Sequence, residues 1–190
     1  MQEIEGVIKM YVTNLFNGRP VDETGRLEKE IKTYNVLDTL GIGYQRLDHD
    51  VANTIDDCSE IDARLEATIC KNLFLCNSQK TEFYLLMMPG EKKFVTKVVS
   101  KLLGKSRLSF AKPEHMAELL DITPGSVSIM GLVNDKERRV TLVIDKVVLE
   151  GDYIGLHPCI NTSSLRVRTK DILEKFLPYT KHEPIVIEIE

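Results

Sequence analysis

No apolar run in this chain is long enough to span a bilayer, and its first residues are acidic rather than basic and apolar. The expectation is a cytoplasmic protein with no signal peptide and no membrane anchor. Cysteine is scarce. Cys58, Cys70, Cys76 and Cys159 stand singly, with no C-x-x-C and no histidine-rich spacing beside them. That excludes a sequence-evident disulfide frame or zinc site and predicts reduced thiols. An excess of basic charge is missing too. At a net charge of −4 the chain is not a general nucleic-acid binder, DNA is not an expected partner, and any RNA contact must rest on a local patch. Also absent are a G-x-S-x-G elbow, a placeable Ser-His-Asp constellation, a P-loop and a dinucleotide fingerprint. Neither metal nor cofactor is predicted. Internal repeats and low-complexity tracts are lacking.

What is present is ordinary globular composition, 43% hydrophobic and 28% charged over 190 residues, enough for one core. We read residues 1–190 as a single domain. Apolar spacing over 2–16 predicts a first helix ending at Asn17-Gly18 and Pro20, so that 1–20 is either an addition packed on the core or a partner-binding face. A second helix is predicted over 23–40, stopped by Gly41. A short strand follows over 44–49, with His49 between Asp48 and Asp50 read as a polar strand end. A third helix spans 54–66, capped by Thr54 or Asp56.

Residues 69–77 and 81–88 form a hairpin pattern around Asn77-Ser78-Gln79-Lys80. Lys71 and Asn72 interrupt the first run near its start. Lys92, Lys93, Lys97, Lys101, Lys105 and Arg107 lie on and just after a helix predicted over 92–103, the most basic segment of the chain. Such a run is often no more than a solvated face. Lys93, Lys97 and Lys101 are nonetheless the best candidates for an RNA-backbone patch. A short strand over 107–110 and a helix over 113–120 with Pro113 in its first turn come next. Residues 108–111 and 116–120 are expected to support the core.

Thr123-Pro124-Gly125-Ser126 reads as a type II turn, with Gly125 at the position needing positive φ. An apolar strand is expected over 127–133, closing on Asn134-Asp135. A Gly-Ser pair there lets a ligand approach bare backbone and offers N–H groups. Strands are then expected over 140–150, 153–160 and 165–168, a helix over 169–177 with Thr169 as cap, and a closing strand over 184–190. The segment Gly155-Leu156-His157-Pro158-Cys159-Ile160-Asn161-Thr162 contains the one histidine inside a motif. On local pattern it is equally a structural histidine holding its loop. The fold class is α/β, a mixed, mostly antiparallel sheet surrounded by helices.

Three of these stretches, Cys70 to Leu75, Thr123 to Asp135 and Gly155 to Thr162, occur in an order that resembles the YbaK/ProX family. These are free-standing relatives of the editing domain inserted in bacterial prolyl-tRNA synthetases. Within the family the chain looks most like the ProXp-ala (PrdX) type. The resemblance runs from about Glu23 to the C-terminus. It implies a curved, barrel-like sheet and hydrolysis of a small mischarged amino acid from tRNA, most of all alanine from proline tRNA. Mischarged tRNA is then the partner, with prolyl-tRNA synthetase a second one. It also implies roles: Lys71 needed for activity at the aminoacyl-adenosine end with Asn72, backbone N–H groups around Gly125 and Ser126 stabilising the oxyanion, His157 and Leu156 on the pocket wall, and Asn161 and Thr162 shaping the site. Two departures stand out. Ile129 occupies a position where many relatives have Pro, and Leu156 one where many have Phe. Either could alter the loop or the pocket wall. The alternatives left open are a non-catalytic tRNA- or protein-binding module, a deacylase for cysteinyl-tRNA(Pro) or another small aminoacyl-tRNA, and a small-molecule hydrolase or amino-acid sensor acting without tRNA.

Overall fold

A computed structural model describes residues 10–51 and 55–190. Its elements in chain order are β1 (Phe16–Asn17), α1 (Glu28–Thr39), β2 (Tyr44–Asp48), α2 (Ile55–Leu65), β3 (Thr68–Cys76), β4 (Phe83–Pro89), α3 (Thr96–Leu102), β5 (Ser109–Phe110) and α4 (Pro113–Leu120). A 3₁₀ helix (Ile129–Val133) follows, then β6 (Val140–Asp145), a second 3₁₀ helix (Lys146–Glu150), β7 (Tyr153–Leu156) and β8 (Ser163–Arg168). The last helical stretch is α over Thr169–Asp171, π over Ile172–Phe176 and α again over Leu177–Thr180, and β9 (Ile185–Ile187) closes the chain.

The strands form one mixed sheet in the order β1-β2-β8-β7-β3-β4-β6-β9, with β5 added beside β3. Five of the pairings are antiparallel, and β3–β7, β4–β6 and β6–β9 are parallel. Alternation divides the side chains between two faces. Phe74, Cys76, Phe83, Leu85 and Met87 face the main core with Tyr34 and Leu37 of α1 and Leu119 and Leu120 of α4. Leu75, Tyr84, Leu86 and Met88 face the other way, with Val99 of α3 and Ile187 of β9. Leu47 of β2 meets Ile61 and Leu65 of α2 in a third cluster.

Several expectations change. Of the helix expected over 2–16, residues 1–9 lie outside the described residues, and the rest is extended. Val12 bridges to His49 and β1 pairs with β2, because that strand's outer edge offers unsatisfied backbone groups. The strand expected over 127–133 is the 3₁₀ helix instead. Ser128 caps it by accepting the Met130 N–H at 3.2 Å. Gly131 packs so tightly on α4 that a Cβ there would lie 2.9 Å from the Leu120 carbonyl oxygen. The strand expected over 140–150 stops at Asp145, whose carboxylate accepts the Val147 N–H and opens the second 3₁₀ helix. The helix over 92–103 begins only at Thr96. Thr54 and the side chain of Asp56, the expected caps of α2, lie outside what is described. Thr169 is not the cap of the last helix: its hydroxyl donates to the Gly151 carbonyl from the first helical position.

Candidate active site

The site is built around an interruption in strand pairing. One edge of β3 pairs with β4 along its length, Cys70 to Cys76 opposite Pro89 to Phe83. On its other edge Thr68 and Ile69 pair with Ile154 and Gly155 of β7, and Leu75 and Cys76 pair with β5. Residues 70–73 lie between these pairings with no strand beside them. Parallel strands that part beyond their carboxyl ends leave a crevice, the usual place for a ligand in an α/β sheet. Two residues past the last paired position, Lys71 in β3 and His157 after β7 stand at the same level.

Alternation separates Lys71 from Asn72. Lys71 shares its face with Leu73 and Leu75, whereas Asn72 shares the main-core face with Phe74. The two cannot grip one group from the same side. Lys71 Nζ donates to the Lys92 carbonyl oxygen at 2.7 Å. Lys92 is anchored in turn: its ammonium lies 3.0 Å from the fully buried carboxylate of Asp145 and also donates to the Ile189 carbonyl oxygen. Asn72 Nδ2 reaches the Cys70 carbonyl only at 3.5 Å, and Asn72 Oδ1 is buried with no donor. A buried acceptor left unpaired costs about 1–3 kcal/mol, so a ligand N–H or O–H there would be bound favourably.

The type II turn is present as expected. The Ser126 N–H donates to the Thr123 carbonyl oxygen at 3.0 Å, and Gly125 has φ +86°. A Cβ at Gly125 would lie 3.4 Å from Asn161 Nδ2, so this turn and the loop after β7 meet there. Ser126 is the clasp of the turn. Its amide is engaged, and its buried hydroxyl donates to the Thr123 carbonyl at 2.9 Å. The Gly125 and Val127 N–H groups, by contrast, make no hydrogen bond among the described residues.

His157 Nδ1 lies 3.0 Å from the Ser163 carbonyl oxygen. A carbonyl can only accept, so Nδ1 carries the proton and Nε2 keeps its lone pair. Burial pushes the pKa of this imidazole down, the Ser163 hydrogen bond opposes that, and nearby His49 lowers it further. The His49 ring stands 6.4 Å away, centroid to centroid. His49 is itself buried, with Nδ1 donating to the Asp50 carbonyl at 2.7 Å and Nε2 accepting from Ser164 Oγ at 3.0 Å. Burial lowers its pKa as well. His49 directly follows the end of β2, the strand end expected of it, and its ring also lies beside that of His157. Nothing local in Asp48-His49-Asp50 signals a partner as distant in sequence as Ser164 or His157.

Leu156 is buried in the main core. Asn161 is half-buried, and exposed Thr162 accepts the His49 N–H through its carbonyl at 3.0 Å. Lys93, Lys97 and Lys101 are exposed on α3 and the turn before it. Leu108 and Ala111 are buried as expected of core supports, but Phe110 between them is exposed. Ile129 takes the first position of its 3₁₀ helix, a place where Pro also fits, so the departure there needs no altered backbone. No group of three His, Cys, Asp or Glu among the described residues could hold a metal, and no described helix is long and apolar enough to cross a membrane.

Two clefts lie elsewhere. One of about 860 Å³ is lined by Tyr44, Tyr153, Arg166, Arg168 and Lys175 among others, and one of about 580 Å³ by Asp62, Asp152 and Arg166 among others. Neither includes a candidate residue. Their charges are largely engaged already, Lys175 with Asp171 at 2.7 Å and Arg166 over the Tyr153 ring. The three sequence motifs contribute nothing to either cleft, whereas the open edge of β3 carries Lys71 and Asn72, and His157 follows the end of the adjoining β7.

Comparison with known proteins identifies the family and the fold. The profile of the family described as aminoacyl-tRNA editing domain matches residues 49–175. The prolyl-tRNA editing protein ProX of Acetoanaerobium sticklandii is 32% identical over 141 residues, covering 74% of this chain and 85% of that protein. The prolyl-tRNA synthetase associated domain-containing protein 1 of Danio rerio is 27% identical over 173 residues, covering 90% of each. A crystal structure of a proposed trans-editing enzyme for prolyl tRNA synthetase superposes with a TM-score of 0.63 at 17% identity, over 86% of this chain and 99% of that one. At that identity the likeness concerns the fold alone.

Proposed function

The chain belongs to the aminoacyl-tRNA editing domain family, and from that premise we propose that it removes alanine mischarged onto proline tRNA. An editing domain of this family is a hydrolase acting on aminoacyl-tRNA esters. The substrate follows from a limit on selectivity. A synthetase pocket shaped for proline rejects a smaller apolar side chain by only about 1–3 kcal/mol per methylene, so a second site is needed to clear the error. Prolyl-tRNA synthetase is the enzyme whose errors would be cleared, and residues 1–190 would act as one domain.

The observation that supports this reading is the meeting of the Gly125 turn with Asn161 in the loop after β7, the strand that pairs with β3 just before its unpaired stretch. Three motifs far apart in sequence supply complementary groups there. The unengaged Gly125 and Val127 amides would bind the ester carbonyl oxygen as negative charge develops, a contribution worth about 3–4 kcal/mol per donor in comparable sites. Lys71, drawn from the Lys92 carbonyl, would hold a phosphate or ribose oxygen of the terminal adenosine as a point charge. Asn72 Oδ1 would accept from the substrate on the other side of the strand. His157, neutral and with its lone pair on Nε2, would accept a hydrogen bond from the attacking water. Water oxygen bonds to the carbonyl carbon, the bond to the ribose oxygen breaks, and that oxygen leaves with a proton, helped by the neighbouring ribose hydroxyl. An aminoacyl ester is already activated, so no covalent protein intermediate is required. Burial of the Ser126 hydroxyl and its use in the turn agree with that.

The test is deacylation of alanyl-, prolyl- and cysteinyl-tRNA(Pro), with Lys71→Ala alongside. Loss of alanine at least tenfold faster than of proline, abolished in the variant while Tm stays within a few degrees, is the expected result. Equal rates for alanine and proline would overturn the substrate assignment. An unchanged rate in the variant would remove Lys71 from the chemistry. Faster loss of cysteine would transfer the protein to the cysteinyl-tRNA reading.

A further inference from the structure

Phe110 is an anomaly of the sheet. It lies in β5 opposite Leu75, between buried Leu108 and Ala111, yet 59% of its surface is exposed. Pairing places it on the same face of β3 as Lys71. Four residues along a strand separate Lys71 from Leu75, roughly 13 Å at about 3.3 Å each. Phe94 backs it, ring centroids 5.5 Å apart and tilted by 57°, so the exposed ring is held rather than loose. The exposed cations of the adjoining segment, Lys93, Lys97, Lys101 and Arg107, make no ion pair among the described residues, whereas Lys105 is paired with Glu82. Val98 and Leu102 of α3 are exposed too, at 39% and 46%.

We propose that Phe110, braced by Phe94 and flanked by these lysines, is a base-stacking platform for the unpaired 3′ end of the tRNA substrate. The idea rests on the deacylase reading and adds to it a residue outside the reacting groups. A rigid exposed aromatic ring beside unpaired cations is the combination that binds single-stranded nucleic acid: the ring accepts any base face and the cations follow the phosphates. The spacing suits it. With the ester at the Lys71 end of the crevice, about 13 Å spans roughly four nucleotides at a stacked rise of about 3.4 Å. The exposed ring, rather than charge, decides between RNA and the other occupant, an acidic protein surface docking on Val98 and Leu102. A protein interface needs no ring poised in line with the ester site.

The experiment uses the full chain and an uncharged RNA hairpin whose unpaired 3′ end carries 2-aminopurine in place of one base. Quenching on titration reports stacking, and it does not depend on deacylation. The wild type should quench the probe, Phe110→Ala should weaken binding about tenfold with Tm unchanged, and Phe110→Trp should restore it. In parallel, Phe110→Ala should lower kcat/KM on alanyl-tRNA(Pro) by a similar factor and leave turnover of alanyl-adenosine unaltered. Wild-type affinity and quenching in Phe110→Ala would overturn the platform and leave the surface to a protein partner. An equal loss on alanyl-adenosine would overturn it too, since the ring would then act on the reacting end. If wild type quenches the probe but deacylates nothing, the platform stands and the deacylase reading falls.

Discussion

At the scale of the residue, Gly125 and the two histidines carry the sharpest expectations. Gly125 sits at φ +86° with Asn161 Nδ2 at contact distance from where a Cβ would go. Left-handed backbone costs an L-residue about 1–2 kcal/mol. Gly125→Ala should therefore lower Tm by several degrees and, by shifting the Gly125 and Val127 amides, reduce deacylation by more than tenfold. A loss of stability alone, with full activity, would show that those amides do not touch the ester. His157 and His49 are held below the ordinary value of 6.5, mainly by burial. A lowered histidine pKa leaves stability unaffected above 6.5 and removes it as pH falls below 6.5 toward the folded-state value, because the unfolded chain then binds more protons. NMR titration should place both imidazole midpoints under 6.5, and deacylation should persist at pH 6.5 and fall only below it. A midpoint above the pH of the assay would make His157 predominantly a cation there and exclude it as the acceptor for water. At this scale Gly125 was legible because glycine is the residue that takes the turn's third position without strain. The use of the Ser126 amide was not, since a sequence does not show which N–H a turn consumes.

At the scale of the element, the informative failures are segments whose apolar content fits more than one conformation. Val127 to Val133 is apolar enough for a buried strand, but it packs into the main core with Ile129–Val133 as a 3₁₀ helix instead. Gly131 against α4 and Ser128 as cap favour the 3₁₀ turn. Met10, Val12 and Leu15 have spacing compatible with a helix, and they pack on the Leu47 cluster from an extended segment instead. The buried Lys92–Asp145 pair is an element-scale device. It joins the approach to α3, the end of β6 and the chain terminus at Ile189. Replacing the buried Asp145 leaves the partly exposed Lys92 ammonium without its counter-charge, a loss that solvent moderates to about 1–3 kcal/mol. Asp145→Asn should shift the urea midpoint down accordingly. It should also raise KM for charged tRNA, because Lys92 presents the carbonyl that positions Lys71. A midpoint within experimental error of wild type would show that solvent reaches this pair.

At the scale of the whole molecule, Arg26, Asp48 and Arg46 tie the segment before α1 to β2. Arg26 donates to both Asp48 oxygens at 2.9 and 2.7 Å, and Arg46 donates to Asp48 from a buried position. Burial works against the Asp48 charge, yet the two guanidinium groups hold its pKa down to about 2 from an ordinary 3.8. That contribution is fully present above 3.8 and is lost as pH falls from 3.8 through about 2, an amount of about 2 kcal/mol. Acid unfolding should follow this window. Asp48→Asn should be less stable at neutral pH but lose less on acidification, and parallel curves for the two proteins would refute the assignment. By itself the sequence determined the fold class, the hairpin of β3 and β4, the Gly125 turn and the family. The first three rest on periodicity and backbone preference, which act over a few residues, and the family rests on the resemblance of three motifs taken in order. Only the tertiary structure decided which edge of β3 stays unpaired, that Lys71 and Asn72 face apart, that His49 stands by His157, and that Phe110 is left in solvent. Each is a choice among strand partners distant in the chain, settled by which pairings bury the most surface together and not by anything written locally.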